Sequence, residues 1–431
     1  MEENKIPSSV YVLSFGVFIV MVGFGFLMPF FPLFARDLGA TALDIGLLMS
    51  IFMITRAFLA RYFGELSDKF RKRKVILVFG SAAYAALFIL FGLARNVLDL
   101  YVIRALQGVA SAAYWPVAEA LIMDVTHINY RGRALGIYMT ANNMAFFVGP
   151  GLAGGIFLVF HDMMHYSELM SFRYSFIIGG VLGVISLIII LIGVKEPSYE
   201  EKVLISESTT FRGPLERETI KKEVYDTNKA YLAFYIMALA NGFAMGMMAP
   251  IAVLYLNEYL GASPAFISAI MSGAGLVGLI SNYPAGWLSD VMGRRGVIVI
   301  GMLGSRLSSI ALTFVIDKIA FGGLMILRSL FFNISSPSFR ALQADLTPIE
   351  IRGKIFGTVQ SFFNIGAIFG PIIGTYLYDV LANVNIEINL SIIHLFSYGP
   401  ALNYVISGLL GLFSLMVFIE FIKPIETNVS S

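Results

Sequence analysis

The sequence predicts an all-α membrane protein of twelve transmembrane helices, arranged as two pseudo-symmetric six-helix bundles. Its composition points into lipid: 58% of the 431 residues are hydrophobic, 13% are charged, and the mean hydropathy is +0.80, too apolar for a soluble globule of this length. The chain also repeats itself. Gly64 to Lys74, GELSDKFRKRK, returns in the second half from Gly286 as GWLSDVMGRRG, and the stretch Asp124 to Pro150 returns as Asp345 to Pro371. Pro29 falls on Pro250, Ser50 on Ser272 and Pro116 on Pro337, in register to within a single position. Finally, twelve apolar runs are long enough to span a hydrocarbon layer about 30 Å thick, which takes about 20 helical residues.

The first run, 10–34, follows the acidic opening MEENKIPSS. A signal peptide has a basic start and a shorter apolar core, so this run is expected to be a retained helix 1. Runs at 44–64, 74–94, 98–123, 133–160 and 173–194 give helices 2 to 6 and close the first bundle, 1–194. A polar linker, 195–229, lacks a sustained apolar face and is expected to form at most a short amphipathic helix on the membrane surface. The second bundle, 230–431, repeats the pattern with runs at 230–257, 264–288, 296–316, 319–344, 354–378 and 397–422. Of the thirty Lys and Arg residues, twenty fall on the side of the two termini and the linker and four (Arg36, Arg95, Arg173, Lys318) on the other. That asymmetry places the N- and C-termini in the cytoplasm.

Several chemistries are disfavoured at once. The absence of cysteine removes disulfides, thiol catalysis and zinc-thiolate sites, and a formal charge of +2 points to no nucleic-acid partner. No GxxxxGK loop for nucleotide phosphates occurs. His161, Asp162, His165 and Glu168 have metal-like spacing, but they sit in the loop between helices 5 and 6, where a solvated turn is the default, so no metal site is assigned. No cofactor is implied.

Charges inside the spans carry more information, because each costs roughly 2.5–3.5 kcal/mol at the bilayer centre on insertion scales. Arg56, Arg104, Arg306 and Arg328 lie deep in helices 2, 4, 9 and 10 with no carboxylate at their depth. Glu119 is the one acid well inside a helix, and the offset of the repeat makes Arg340 its mate. A two-fold axis would put the mates at equal depth, so they are expected to form a gate pair across the axis, with Glu119 as proton carrier the alternative. At the helix ends, Asp124 and Arg131, and again Asp345 and Arg352, face each other across a short turn and are candidate ion-pair latches. Tyr114, Trp115, Asn142, Asn143, Asn241, Asn333 and Asn364 fall near mid-depth as candidate cavity groups, the amides because an unsatisfied amide in hydrocarbon is expensive.

These residues resemble the major facilitator superfamily, over nearly the whole chain. Gly64, Asp68, Lys72 and Arg73 after helix 2 are similar to the family's loop signature, with Arg71 where a glycine belongs. The second copy, Gly286, Asp290, Gly293, Arg294 and Arg295, is complete. Arg104, Gln107 and Gly108 are similar to its helix-4 arginine signature. Gly149, Pro150 and Gly154 in helix 5, with Ala153 replacing one glycine, are similar to the signature associated with antiporters. Helix 11 repeats it as Gly366, Gly370, Pro371 and Gly374. The resemblance implies that helices 1, 2, 4, 5, 7, 8, 10 and 11 line the cavity, which favours Arg56, Arg104 and Arg328 as cavity residues. It leaves Arg306, in peripheral helix 9, as a structural charge on backbone carbonyls. It also makes the cytoplasmic charge networks latches, and the helix-5 and helix-11 glycines and prolines hinges.

The function so implied is secondary active transport of a small organic solute by alternating access, as a proton-coupled, multidrug-like efflux antiporter working as a monomer in the cell membrane. Its partners would be the lipid bilayer, the solute and protons. The unpaired arginines favour an alternative, an organic-anion symporter or uniporter. A receptor or membrane enzyme without a transport cycle is the remote alternative, since no clustered nucleophile and base is visible.

Overall fold

The computed structural model describes residues 6–70, 72–196, 227–348, 350–390 and 393–422. Among them are twelve long helices: α1 (Ser8–Asp37), α2 (Ala42–Phe70), α3 (Arg73–Leu93), α4 (Val97–Val125), α5 (Arg131–Leu158), α6 (Glu168–Gly193), α7 (Thr227–Glu258), α8 (Pro264–Met292), α9 (Arg294–Leu312), α10 (Lys318–Leu346), α11 (Arg352–Val380) and α12 (Leu402–Phe421). Eleven are apolar and long enough to cross a membrane. The other, α4, is long enough but carries Asp99, Arg104, Gln107, Glu119 and Asp124. The surface helix considered for the linker falls almost wholly outside the described residues.

Local chemistry sets the ends. Asn96 accepts from the Asp99 amide to cap α4, Ser167 from Met170 to cap α6, and Asp317 from Ile319 and Ala320 to cap α10. Gly293, at φ 78°, turns the chain into α9 through the left-handed region open to glycine. At the matching position of the first copy stands Arg71, outside the described residues.

The chain divides into two compact units. One comprises 1–211 with 263–279, the other 212–262 with 280–431, so α8 contributes to both. In the first, α1 packs on α5 and α6, α2 on α4, and α3 on α4 and α6. In the second, α7 packs on α11 and α12, and α9 on α10 and α12, the pairings of α1 and α3 shifted by six helices.

Helices surrounded by lipid gain little from hydrophobic burial against each other, so close backbone approach must hold them together. Glycine supplies it. A Cβ at Gly25 of α1 would lie 2.7 Å from Gly149 Cα and 3.0 Å from Pro150 Cδ, and one at Gly149 would lie 2.9 Å from Gly25 Cα. The repeat mates cross likewise: a Cβ at Gly246 of α7 would lie 2.7 Å from Pro371 Cδ of α11, and one at Gly370 would overlap the Phe243 carbonyl oxygen. In the second unit Phe234, Met237, Ile298, Met302, Leu342 and Phe418 form a buried cluster among α7, α9, α10 and α12.

One element departs from the expectation of helices alone. Strands β1 (Asn385–Leu390) and β2 (Ile393–Tyr398) pair antiparallel between α11 and α12, with Asn385 opposite Tyr398 and Leu390 opposite Ile393. Helix 12 therefore starts at Leu402 rather than at 397. The cause is local: Asn-Ile-Glu-Ile-Asn-Leu alternates with period two, a strand pattern, and Gly399-Pro400 interrupts the run into the last helix. The hairpin root is tied to the bundle. The Gly399 amide donates to the Val384 carbonyl at 2.6 Å, and the Tyr259 hydroxyl donates to the Ala382 carbonyl at 3.1 Å.

Substituting Gly149→Leu or Gly370→Leu forces these crossings apart and should cost about 1–3 kcal/mol or more by overpacking. Gly155→Leu, where an added Cβ meets nothing within 4 Å, should be near neutral. Thermal melting of the three purified variants in detergent checks this, and equal melting temperatures would refute the crossing as the cohesive element.

Candidate functional site

The repeated loop signature forms a charged clasp in each unit. Arg73, at the first turn of α3, donates from Nε to Asp124 Oδ2 at 2.6 Å near the end of α4. Glu196, just beyond α6, accepts from the backbone amides of Arg73 and Lys74, the latter at 3.2 Å, placing an anion on the positive end of α3. In the second unit Arg294 pairs with Asp345, and its Nη1 also donates to the Ala341 carbonyl at 3.0 Å. Arg295 donates to the Ile419 carbonyl of α12 at 2.9 Å. In the register that carries Asp124 onto Asp345, Arg73 falls on Arg294, so the ion pair is part of the repeat.

This corrects the expected partners. Asp124 and Asp345 pair with the arginine that opens the third helix of their bundle, not with Arg131 and Arg352. Those arginines instead serve carbonyl groups. Arg131 Nε donates to Thr126 O at 3.3 Å, and Arg352 Nη2 donates to Ala344 O at 2.8 Å and Thr347 O at 3.3 Å. The division follows helix electrostatics. The C-terminal turns of α4 and α10 expose carbonyls that attract a cation, while an acid placed there is stabilised by a cation brought to it. The glycines of the signature make no close approach: a Cβ at Gly64 or Gly286 meets nothing within 4 Å. The Asp68 and Asp290 side chains lie outside what the structure describes.

Among the described residues the deep arginines find neutral partners rather than carboxylates. Arg104 is 6% exposed. Its Nη1 donates to Gln107 Oε1 at 2.8 Å, and its Cζ sits 4.1 Å from the Phe31 ring centroid and 5.3 Å from that of Phe52. Desolvated cation–π contacts are worth about 2 kcal/mol, so the cation is caged among α1, α2 and α4 rather than projecting into open space. Arg56, half-buried on α2, lies where Gly108 lets α4 approach, an added Cβ there falling 3.1 Å from Arg56 N. In the second unit Arg306 donates to the Asn241 amide oxygen, not to backbone carbonyls as expected, which also turns Asn241 into a structural partner. Arg328 donates from Nε to Ser309 Oγ at 2.8 Å.

The aromatic candidates are turned away. Tyr114 is fully buried with its ring 5.7 Å from that of Tyr84 in α3, and Trp115 Nε1 donates to the Tyr84 hydroxyl at 3.3 Å. Both belong to the α3–α4 seam, because Gly80 of α3 leaves room for Tyr114 on that face of α4. Asn333 donates within its own helix to Ser329 O at 2.8 Å. Asn142 Oδ1 is buried with no hydrogen-bond partner.

What remains open is a repeated polar face. On α5, Gly136, Met139, Thr140, Asn143 and Met144 are exposed. Their repeat mates on α11 are Gly357, Gln360, Ser361, Asn364 and Ile365, of which Asn364 is half-buried and accepts from Gln360 Nε2 at 3.0 Å. Hydroxyl, amide and thioether groups on such a face suit a neutral or amphipathic solute. Glu119 and Arg340 are each exposed on their own unit. Sequence reasoning missed Glu196, Ser309 and the Phe31–Phe52 cage. Only Glu196 gave a signal, an acid right after the sixth apolar run.

A profile described as Major Facilitator Superfamily matches residues 13–231 and again 234–429. The chain is similar to the "Multidrug resistance protein MdtG" of Escherichia coli O17:K52:H18 (strain UMN026 / ExPEC), 28% identical over 388 residues, covering 86% of this chain and 89% of that protein. It is similar also to the "Quinolone resistance protein NorA" of Staphylococcus aureus (strain COL), 24% identical over 372 residues, covering 86% of this chain and 90% of that protein. Among solved structures, a bacterial homologue of the human lysosomal transporter Spinster, inward-facing and occupied, aligns with a TM-score of 0.74 at 12% identity over 96% of both chains. The nucleoside transporter NupG aligns with a TM-score of 0.67 at 14% identity, over 97% of this chain and all of that one; these two likenesses concern the fold alone. With the profile matched once in each half of a helix-for-helix repeat, the chain belongs to the Major Facilitator Superfamily of membrane transporters.

Proposed function

We propose that this transporter exports small amphipathic organic solutes in exchange for protons, by alternating access of two rocking bundles bounded at 1–194 and 230–431. The carrying observation is similarity along 86% of the chain to proteins named for multidrug and quinolone resistance. The Gly-Pro signature at Gly149–Pro150 and Gly370–Pro371 and the polar faces of α5 and α11 support it. Glu119, the exposed acid of α4, is the candidate proton carrier or, with Arg340, a gate pair. The protein works as a monomer with both termini in the cytoplasm. A second reading, uniport or symport of an organic anion, is favoured by one observation: among the described residues Arg104, Arg306 and Arg328 pair with no carboxylate.

Proteoliposomes loaded with a pH dye distinguish the two. Under an imposed proton gradient, a lipophilic cation should drive proton exit, and Glu119→Gln should lower that flux about tenfold or more, as removal of a proton-transfer group does. Flux driven by organic anions alone, and insensitive to Glu119→Gln, would replace antiport by the second reading.

Orientation can be read on the same chain, because it contains no cysteine. Asn385→Cys at the exposed start of the hairpin should react with a membrane-impermeant maleimide in intact cells. Arg133→Cys, exposed at the start of α5, should react only after permeabilisation. The opposite pattern would invert the topology.

The clasps should differ in strength. Side chains of the Arg73–Asp124 pair are 18% and 21% exposed, against 34% and 40% for Arg294–Asp345. Double-mutant cycles should therefore give a larger coupling for the first, with the second within the roughly 0.2–1 kcal/mol typical of exposed pairs.

A further inference from the structure

Inside the second unit two arginines, Arg306 and Arg328, pair with no acid among the described residues. Arg306 of α9 is 2% exposed and donates to the Asn241 amide oxygen of α7, while its Nε is buried without a partner. Arg328 of α10 donates to Ser309 Oγ, about one turn along α9 from Arg306. Ser309 follows Arg306 by three residues on α9, so the two like charges share one stretch of that helix. Two further donors of this unit, the Ser305 hydroxyl next to Arg306 in the chain and the Tyr404 hydroxyl of α12, are both buried without a hydrogen-bond partner.

The cluster is rich in donors and poor in acceptors. Two guanidiniums carry about ten N–H groups, and the acceptors they reach are one amide and one hydroxyl oxygen, both neutral. Arg104 in the first unit shows the other way to house such a charge, between two phenyl rings and a glutamine. No ring covers Arg306 or Arg328 among the described residues. Water can accept hydrogen bonds from the orphan groups but cannot cancel two like charges at low dielectric. A bound anion does both.

We propose that Arg306 and Arg328 hold a small monovalent anion between α7, α9 and α10. Packing limits its size on one side, since Gly411 of α12 lies so close to the Arg306 side chain that even a Cβ would overlap it. The half-buried Arg328 forms the accessible side. A halide and the carboxylate of a small organic acid offer the same chemistry. The site is independent of the antiport reading, because it is tested without a transport measurement.

The test uses the purified full-length protein in detergent, held in sodium gluconate and titrated at constant ionic strength with sodium chloride, bromide or acetate while its melting temperature is followed. The expected result is a saturable rise of several degrees, with apparent affinity weakened about tenfold or more in Arg328→Gln, as loss of a charged partner implies. A rise with chloride and bromide assigns the site to a halide, and a rise with acetate alone assigns it to a carboxylate. If Arg306→Gln does not fold, Arg328→Gln still decides, its side chain being less buried than that of Arg306 and held by one hydrogen bond. A wild-type melting temperature indifferent to all three salts, or the same shift in Arg328→Gln, overturns the proposal.

Discussion

Each bundle depends on a helix crossing made without side chains. Gly25 meets Gly149 and Pro150 between α1 and α5, and Gly246 meets Pro371 between α7 and α11. In lipid a leucine gains nothing by leaving a lipid tail for another leucine, so contact energy comes from how nearly two backbones can touch. Proline strengthens the arrangement at the same point. It removes an amide from the helix and leaves a carbonyl one turn earlier to be satisfied from outside. At Pro150 that carbonyl is Phe146, and Gly275 of α8 packs on it so closely that an added Cβ would lie 2.6 Å from the oxygen. Ser272 donates to the neighbouring Phe147 carbonyl at 2.7 Å. Small residues and a broken helix ladder thus serve one purpose.

With that framework fixed, charge can be placed where lipid would forbid it. Arg104 is tolerated because aromatic faces and Gln107 surround it, and Arg306 because Gly411 makes room and Asn241 accepts from it. Neither solution uses a carboxylate, so each leaves a positive potential inside its bundle. A carboxylate partner would have neutralised that potential, and a solute or ion of negative charge would then meet no attraction.

The repeat made the twelve helices legible, since every apolar run in the first half had a counterpart in the second. Hydropathy could not say which face of a helix meets which neighbour. Tyr114 and Trp115 looked like cavity groups by depth but turn to α3, where Gly80 leaves space, and depth alone carries no azimuth. The acids of the clasps were found, while their partners were misassigned. Arg131 follows Asp124 across a short turn and so looked the nearer cation, whereas Arg73 is distant in sequence and reaches Asp124 only because α3 packs on α4. The hairpin was hidden because its apolar second strand ran on into the last helix. Only the alternation at 385–390 betrayed it.

Each clasp closes within one bundle, joining the start of its third helix to the end of its fourth. Such a pair braces a corner, and in the alternating-access cycle proposed above the bundle it braces would move as a stiff lever rather than as loose helices. Stiffness that rests on part-exposed charge is open to screening, over a length of about 8 Å at physiological ionic strength. The brace of the second bundle, with the more exposed pair, therefore slackens at lower salt than that of the first, and the two levers, nearly identical in plan, have unequal compliance.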